Sequence, residues 1–178
     1  MMHVPAFDLK RNYESMKSEV KEALDRVLDS QIFILGDEVE KFENEIASYL
    51  EVAHAIGCGS GTDALLLSLL ALDVTDGDEV ITTPYTFFAT ASSIVRLRAR
   101  PVFVDINPLT YNVDINKIEE RITPRTKAVI VVHLFGQMAP IENLEPPLSD
   151  KGIHLIEDCA QSFGSWRKVN GEIKRCGT

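Results

Sequence analysis

The sequence predicts an α/β protein built on a mostly parallel sheet flanked by helices. Three observations point there. From residue 53 onward, short apolar stretches alternate with segments of helical spacing, the pattern of a chain that repeatedly crosses back over its own sheet. The apolar stretches, above all the Val and Ile run at 128–133, show no polar alternation, so both of their faces are expected to be covered. The chain has 178 residues, 45% of them apolar and 25% charged, which suits one soluble domain with a sizeable core.

Two helices are expected before the alternation begins. Residues 14–30 place Met16, Val20, Ala23, Leu24, Val27 and Leu28 at helical spacing, and residues 37–50 do the same with Val39, Phe42, Ile46 and Tyr49. Gly36-Asp37 between them reads as a turn with an N-cap. Residues 53–57 form a short strand candidate, 62–72 a helix, 79–82 a strand and 87–97 a helix. Residues 101–104 follow as a strand, 115–122 as a helix, 128–133 and 153–157 as strands. The crossover at 140–150 contains Pro146-Pro147, which disfavours a full helix, so a short helix with an irregular loop is expected. The tail differs. Residues 166–169 and 172–175 flank Asn170-Gly171, a strong hairpin signal. The expected organisation is N-terminal helices at 1–52, an α/β core at 53–165 and a hairpin at 166–178.

The formal net charge of -9 argues against a nucleic-acid partner, which needs clustered Lys and Arg. It leaves room for a small anionic ligand, since a local pocket can be positive on an acidic protein. The first residues, Met1 to Asp8, lack the basic and long apolar regions of a signal peptide. No apolar run approaches the ~20 residues that span a membrane. Cys58, Cys159 and Cys176 form no CxxC pair, which fits reduced thiols in a cytoplasmic protein. His3, His54, His133 and His154 show no metal-ligand spacing, so no metal is expected.

Four segments carry residues suited to chemistry. Gly59-Ser60-Gly61-Thr62-Asp63 runs from a strand candidate into a helix. Small residues let a ligand approach the backbone, and a helix N-terminus offers free N–H groups to a phosphate. A plain Ser/Thr cap explains the same residues. It is neither a dinucleotide fingerprint nor a Walker A loop. Thr82 to Thr90 puts Tyr85 and Phe87 past a strand's C-terminal end, where open α/β sheets bind ligands and where a ring can stack on a planar group. Both aromatics also suit the core of the next helix. Glu157-Asp158 ends an apolar strand, and alternation gives the two acids different environments. A carboxylate there can keep a pyridinium nitrogen protonated, although a helix cap or solvated pair fits as well. His133 follows a strand and is expected to be a hydrogen-bonded structural residue rather than an acid/base group.

Taken together, the motifs SGTDAL, GDEVITTPYTFFATA, ARPVFVDINPLTYNVD, ITPRTKAVIVVHLFGQ and HLIEDCAQSFG occur in the order found in sugar aminotransferases of the DegT/DnrJ/StrS type. VPAFDLKRNY and GDEVEKFENEIASYL resemble that family's N-terminal helices. The resemblance spans roughly residues 4–178. It implies part of the large domain of the aspartate-aminotransferase-like fold (fold type I), pyridoxal 5'-phosphate as cofactor, and active sites at a homodimer interface. It implies that Gly61, Thr62 and Asp63 bind the cofactor phosphate, that Phe87 stacks on its ring, that Asp158 meets the ring nitrogen and that Gln161 bonds the phenolic oxygen. It implies amino transfer from glutamate or a similar donor to a nucleotide-linked keto sugar. The family's Schiff-base lysine falls in a later motif, about a dozen residues past Thr178. Lys168 and Lys174 lie outside that motif. The chain alone is therefore expected to be inactive, with no catalytic residue assigned and the small domain absent. The alternatives are a sugar dehydratase of the same family, in which His replaces the lysine, and an inactive binding module.

Overall fold

A computed structural model of the chain describes residues 8–178. Residues 1–7, which carry most of the signal-peptide reading and the start of the VPAFDLKRNY resemblance, lie outside the described residues. The chain divides into two compact units, Met1–Gly57 and Cys58–Thr178.

The first unit holds two helices, α1 (Leu9–Ser30) and α2 (Asp37–Leu50). Asp8 caps α1 by accepting the Arg11 N–H at 3.1 Å. Gln31 ends α1 in the left-handed region, donating its own N–H to the Leu28 carbonyl. The expected cap at 36–37 differs in detail. Gly36 is the cap residue and supplies no side-chain bond, while Asp37, Glu38 and Glu40 place negative charge in the first turn of α2, where the helix dipole favours it. Glu38 joins the two helices through Arg26 of α1 at 3.0 Å, and it also pairs with Lys41 of its own helix at 3.2 Å. The strand expected at 53–57 is absent. The Gly57 N–H donates to Glu43 Oε1 at 2.6 Å, so the segment is tied back to α2 and no neighbouring strand pairs with it.

The second unit contains α3 (Gly61–Ala71), β1 (Glu79–Thr82), α4 (Phe88–Arg96), β2 (Arg100–Phe103), β3 (Thr126–Val132), α5 (Glu145–Ser149), β4 (His154–Asp158) and the hairpin β5 (Trp166–Val169) and β6 (Glu172–Arg175). The four strands β1 to β4 form one sheet in the order β2-β1-β3-β4, and every neighbouring pair is parallel. Alternate side chains of the central strands enter two different cores. Val80, Ala128, Ile130 and Val132 pack with Leu65 and Leu69 of α3 and Ile94 of α4. Ile81, Val129 and Val131 pack with Ile118, Leu144 and Leu148 on the opposite face. This double covering is why β3 reads as a continuous apolar run over residues 128–132.

Residues 115–122, expected to be a helix, form two 3-10 turns instead, Ile115–Lys117 and Glu119–Arg121. Asp114 caps the first of them, and Thr123-Pro124 stops the segment before a regular helix can propagate. The two turns still bury Ile118 completely. The crossover with Pro146-Pro147 is a short helix after a 3-10 turn, as expected, because prolines are tolerated in a first turn. Asn170 and Gly171, with φ of 51° and 91°, make the hairpin turn that needs two left-handed residues. At the opposite end of the sheet from the candidate site, buried Glu79 accepts Thr123 Oγ1 at 2.6 Å and Arg125 Nη2 at 2.7 Å. These donors hold its carboxyl below the usual carboxylate range.

Candidate functional site

The strand order reverses direction at β1, because the chain moves from β1 outward to β2 and then back across to β3. At such a switch point the connections leave on opposite faces and open a crevice at the strands' C-terminal ends. The segments past β1, β3 and β4 carry most of the residues singled out above.

Thr62 reaches the same edge by way of α3. That helix packs on the sheet face and delivers the chain to the start of β1, so it runs back along the strands. Its first turn therefore lies toward the strands' C-terminal ends. Ser60 is the cap: its Oγ accepts the Asp63 N–H at 3.1 Å and donates to Asp63 Oδ2 at 2.9 Å. Asp63 is thus engaged in the cap through both backbone and side chain. The N–H groups of Gly61 and Thr62 have no protein partner among the described residues, and Thr62 is half-buried. Phe87 is the residue before α4, at the end of the loop that leaves β1, with its ring mostly exposed.

The adjacent acids at the end of β4 part company as alternation requires. Glu157 Oε2 accepts His133 Nε2–H at 2.7 Å and the Gly177 N–H at 3.1 Å. Asp158 Oδ1 accepts the Ala160 N–H at 3.1 Å, which leaves Oδ2 open. His133 is fully buried, and its Nδ1 accepts the Ala139 N–H at 3.0 Å. Since Nδ1 is an acceptor, the ring proton sits on Nε2. The expected structural histidine is found. Cys159 lies within 4.8 Å of His133 and Glu157, and burial pushes its thiol above the ordinary range. Cys176 donates to the Ser162 carbonyl at 2.9 Å.

Gln161 Oε1 accepts the Phe135 N–H at 3.1 Å, so its amide NH2 is the end left for another acceptor. Asn112, buried in the loop between β2 and β3, belongs to none of the segments that the sequence marks for chemistry. Its Oδ1 accepts the Leu134 N–H at 2.9 Å, and its Nδ2 donates to the Gln137 carbonyl at 2.8 Å. That one amide fixes the turn that carries Phe135. The structure brings Asp158, Gln161, His133 and the 134–137 turn into one bonded group, and sets Phe87 and Thr62 at the same edge. Lys168 and Lys174 sit apart from it, on the hairpin β5–β6.

A model of the DegT/DnrJ/EryC1/StrS aminotransferase family matches residues 14–178. The chain is 50% identical over 171 residues to the "Pleiotropic regulatory protein" of Geobacillus stearothermophilus, covering 96% of this chain and 45% of that one. It is 42% identical over 169 residues to a UDP-N-acetyl-3-dehydro-alpha-D-glucosamine 3-aminotransferase of Acidithiobacillus ferrooxidans, covering 95% and 45%. The crystal structure of S. venezuelae DesV in complex with a ketimine intermediate superimposes with a TM-score of 0.92 at 39% identity, over 100% of this chain and 47% of that one. The chain spans about half the length of the relatives it matches. The parallel sheet flanked by helices is the architecture it shares with these aminotransferases.

Proposed function

Since the chain belongs to the DegT/DnrJ/EryC1/StrS aminotransferase family, we propose that the protein containing it uses pyridoxal 5'-phosphate to transfer an amino group from glutamate or a similar donor to a nucleotide-linked keto sugar. The observation that carries this reading is the convergence of Thr62, Phe87, Asp158 and Gln161 on the C-terminal edge of one parallel sheet.

The groups left unengaged by the protein suit this cofactor. The N–H groups of Gly61 and Thr62, with the Thr62 hydroxyl, hold the phosphate at the positive end of α3. Asp63 contributes by closing the cap with Ser60, which keeps that first turn rigid. The exposed ring of Phe87 offers a stacking face. Asp158 Oδ2 would accept a hydrogen bond from the protonated pyridine nitrogen, and the Gln161 amide would donate to the phenolic oxygen. When bound, the cofactor supplies a conjugated ring that withdraws electrons from the reacting carbon. The role of Asp158 is to keep that ring cationic.

We further infer that the lysine which anchors the cofactor is not among these 178 residues. Lys168 pairs with Ile173 and Lys174 with Arg167 across the hairpin, and neither belongs to the bonded group at the strand ends. The 178 residues by themselves then bind cofactor without turnover. A missing acid/base group alone typically lowers a rate by about 10²–10⁴-fold. The proposal also includes a homodimer and a cytoplasmic setting, which three free thiols suit. Among the described residues no helix is long and apolar enough to cross a membrane.

The test has two arms. Protein extending past residue 178 is assayed for amino transfer from glutamate to a UDP-linked keto sugar, with transfer expected. The 178 residues are incubated with pyridoxal phosphate, treated with borohydride and analysed by intact mass spectrometry, with no stoichiometric adduct expected. A single adduct mapped to Lys168 or Lys174 together with turnover would overturn the assignment of the lysine. Absence of transfer in the longer protein with every donor tried would overturn the activity.

A further inference from the structure

We propose that Tyr85, Tyr111 and Phe135 form an aromatic ledge on which a ring face of the nucleotide-linked sugar lies. The inference rests on the functional reading above and adds to it where the acceptor binds.

The three residues follow the C-terminal ends of three neighbouring strands, β1, β2 and β3. Their rings meet in a row. Tyr85 and Tyr111 have centroids 5.9 Å apart with planes tilted by 38°, and Tyr85 and Phe135 are 6.5 Å apart, edge to face. All three remain open to solvent, at 46%, 48% and 68% exposure. Their burial therefore does little for the core.

The backbone beneath two of them is strained. Tyr111 and Phe135 have φ of 61° and 55°, in the left-handed region that bulky side chains avoid. Strain of this kind persists only where the surroundings impose it, and it clusters at ligand sites. Here the surroundings are identifiable. Asn112, next to Tyr111 and 2% exposed, spends its side-chain acceptor and a donor on the two ends of the turn that carries Phe135. His133 holds Ala139 just beyond it, and Ser165 Oγ donates to the Gly136 carbonyl at 2.9 Å. One buried amide thus couples both strained aromatics. A scaffold of buried polar groups that presents exposed rings is the construction expected of a binding surface, not of a core.

The occupant follows from position. The ledge begins at Gln161, which holds the Phe135 N–H and is one of the residues assigned to the cofactor ring. A ligand lying on it has one end at the cofactor and a ring system leading away. A nucleotide-linked sugar has both parts. Stacking tolerates differences between bases and sugars, because it needs only a ring face.

The test uses the cofactor-loaded protein extending past residue 178. Binding of UDP and of UDP-N-acetylglucosamine is measured by calorimetry for wild type, Phe135→Leu and Tyr111→Leu. Leucine keeps apolar bulk and removes the ring. Each variant is expected to raise Kd about tenfold, the usual order for one lost stacking partner, with the cofactor absorbance unchanged. Loss in both probes places the base on the ledge; loss only with UDP-N-acetylglucosamine places the sugar there. Either supports the proposal. Kd values within twofold of wild type would overturn the ledge while leaving the functional reading intact. So would unchanged Kd with a lower mass by light scattering, which would make the rings an interface between copies. A wild type that binds neither probe, nor dTDP or GDP in their place, would overturn both, and is told apart by the missing wild-type heat.

Discussion

Replacing His133 by Leu should destabilise the second unit by an amount that can be worked out from its two hydrogen bonds. The ring is fully buried, so leucine fills similar space without a polar group. The buried Ala139 N–H loses its acceptor at 3.0 Å, and an orphaned buried donor costs about 1–3 kcal/mol. Glu157 loses a donor at 2.7 Å, and a hydrogen bond to an ionised group contributes about 1.5–3 kcal/mol. Glu157 keeps the Gly177 N–H, and the added apolar burial offsets roughly 1 kcal/mol. The net loss is about 1.5–5 kcal/mol, which for a chain of this size lowers Tm by roughly 3–20 °C. The assay is thermal unfolding followed by circular dichroism, with urea unfolding to confirm the size of the change. Glu157→Gln, which retains an acceptor for His133, should lose less. A His133→Leu protein that melts within about 2 °C of wild type would refute the reasoning, since both bonds would then be worth nothing.

Three further outcomes follow from the same geometry. Glu79→Gln should lower stability at neutral pH by roughly 1–2 kcal/mol, discounted because Arg125 is mostly exposed. The wild-type carboxyl sits below its ordinary value of 4.5, so its stabilisation is present above that value and fades as pH falls through the folded one; the variant should show a flatter acid limb in pH-dependent urea titrations. Ser60→Ala removes the α3 cap and should lower stability by about 1 kcal/mol, read by the same unfolding, with Ser60→Thr close to wild type. Iodoacetamide should label exposed Cys58 well before Cys159, whose thiol burial raises; peptide mapping that finds Cys159 modified first would contradict this.

Much of this fold was legible because its signals are local. Val129 and Ile130 face two different cores, which is why the stretch at 128–132 reads as unbroken apolar sequence. Asn170-Gly171 announces its hairpin, since both positions need φ above zero. The failures came where local pattern and tertiary contact disagreed. Residues 53–57 look like a strand but find Glu43 and no neighbouring strand. Residues 115–122 have helical spacing but too little length before Pro124. At the site, the separate environments of Glu157 and Asp158 follow from alternation alone. Asn112 gave no sign, because its partners lie 22 and 25 residues further on. The left-handed backbone at Tyr111 and Phe135 was equally hidden, since bulky aromatics do not advertise such a conformation as glycine or asparagine does.

The central claim is that the C-terminal edge of this sheet holds pyridoxal phosphate through the first turn of α3 and Asp158. Titration of the 178 residues with pyridoxal phosphate, followed by quenching of Trp166 fluorescence and by cofactor absorbance, tests it most directly. Saturable binding is expected, weakened about tenfold or more in Thr62→Ala and in Asp158→Ala, each of which removes a charge-assisted contact. Binding that is equal in wild type and both variants, or no saturable binding at all, would contradict the account.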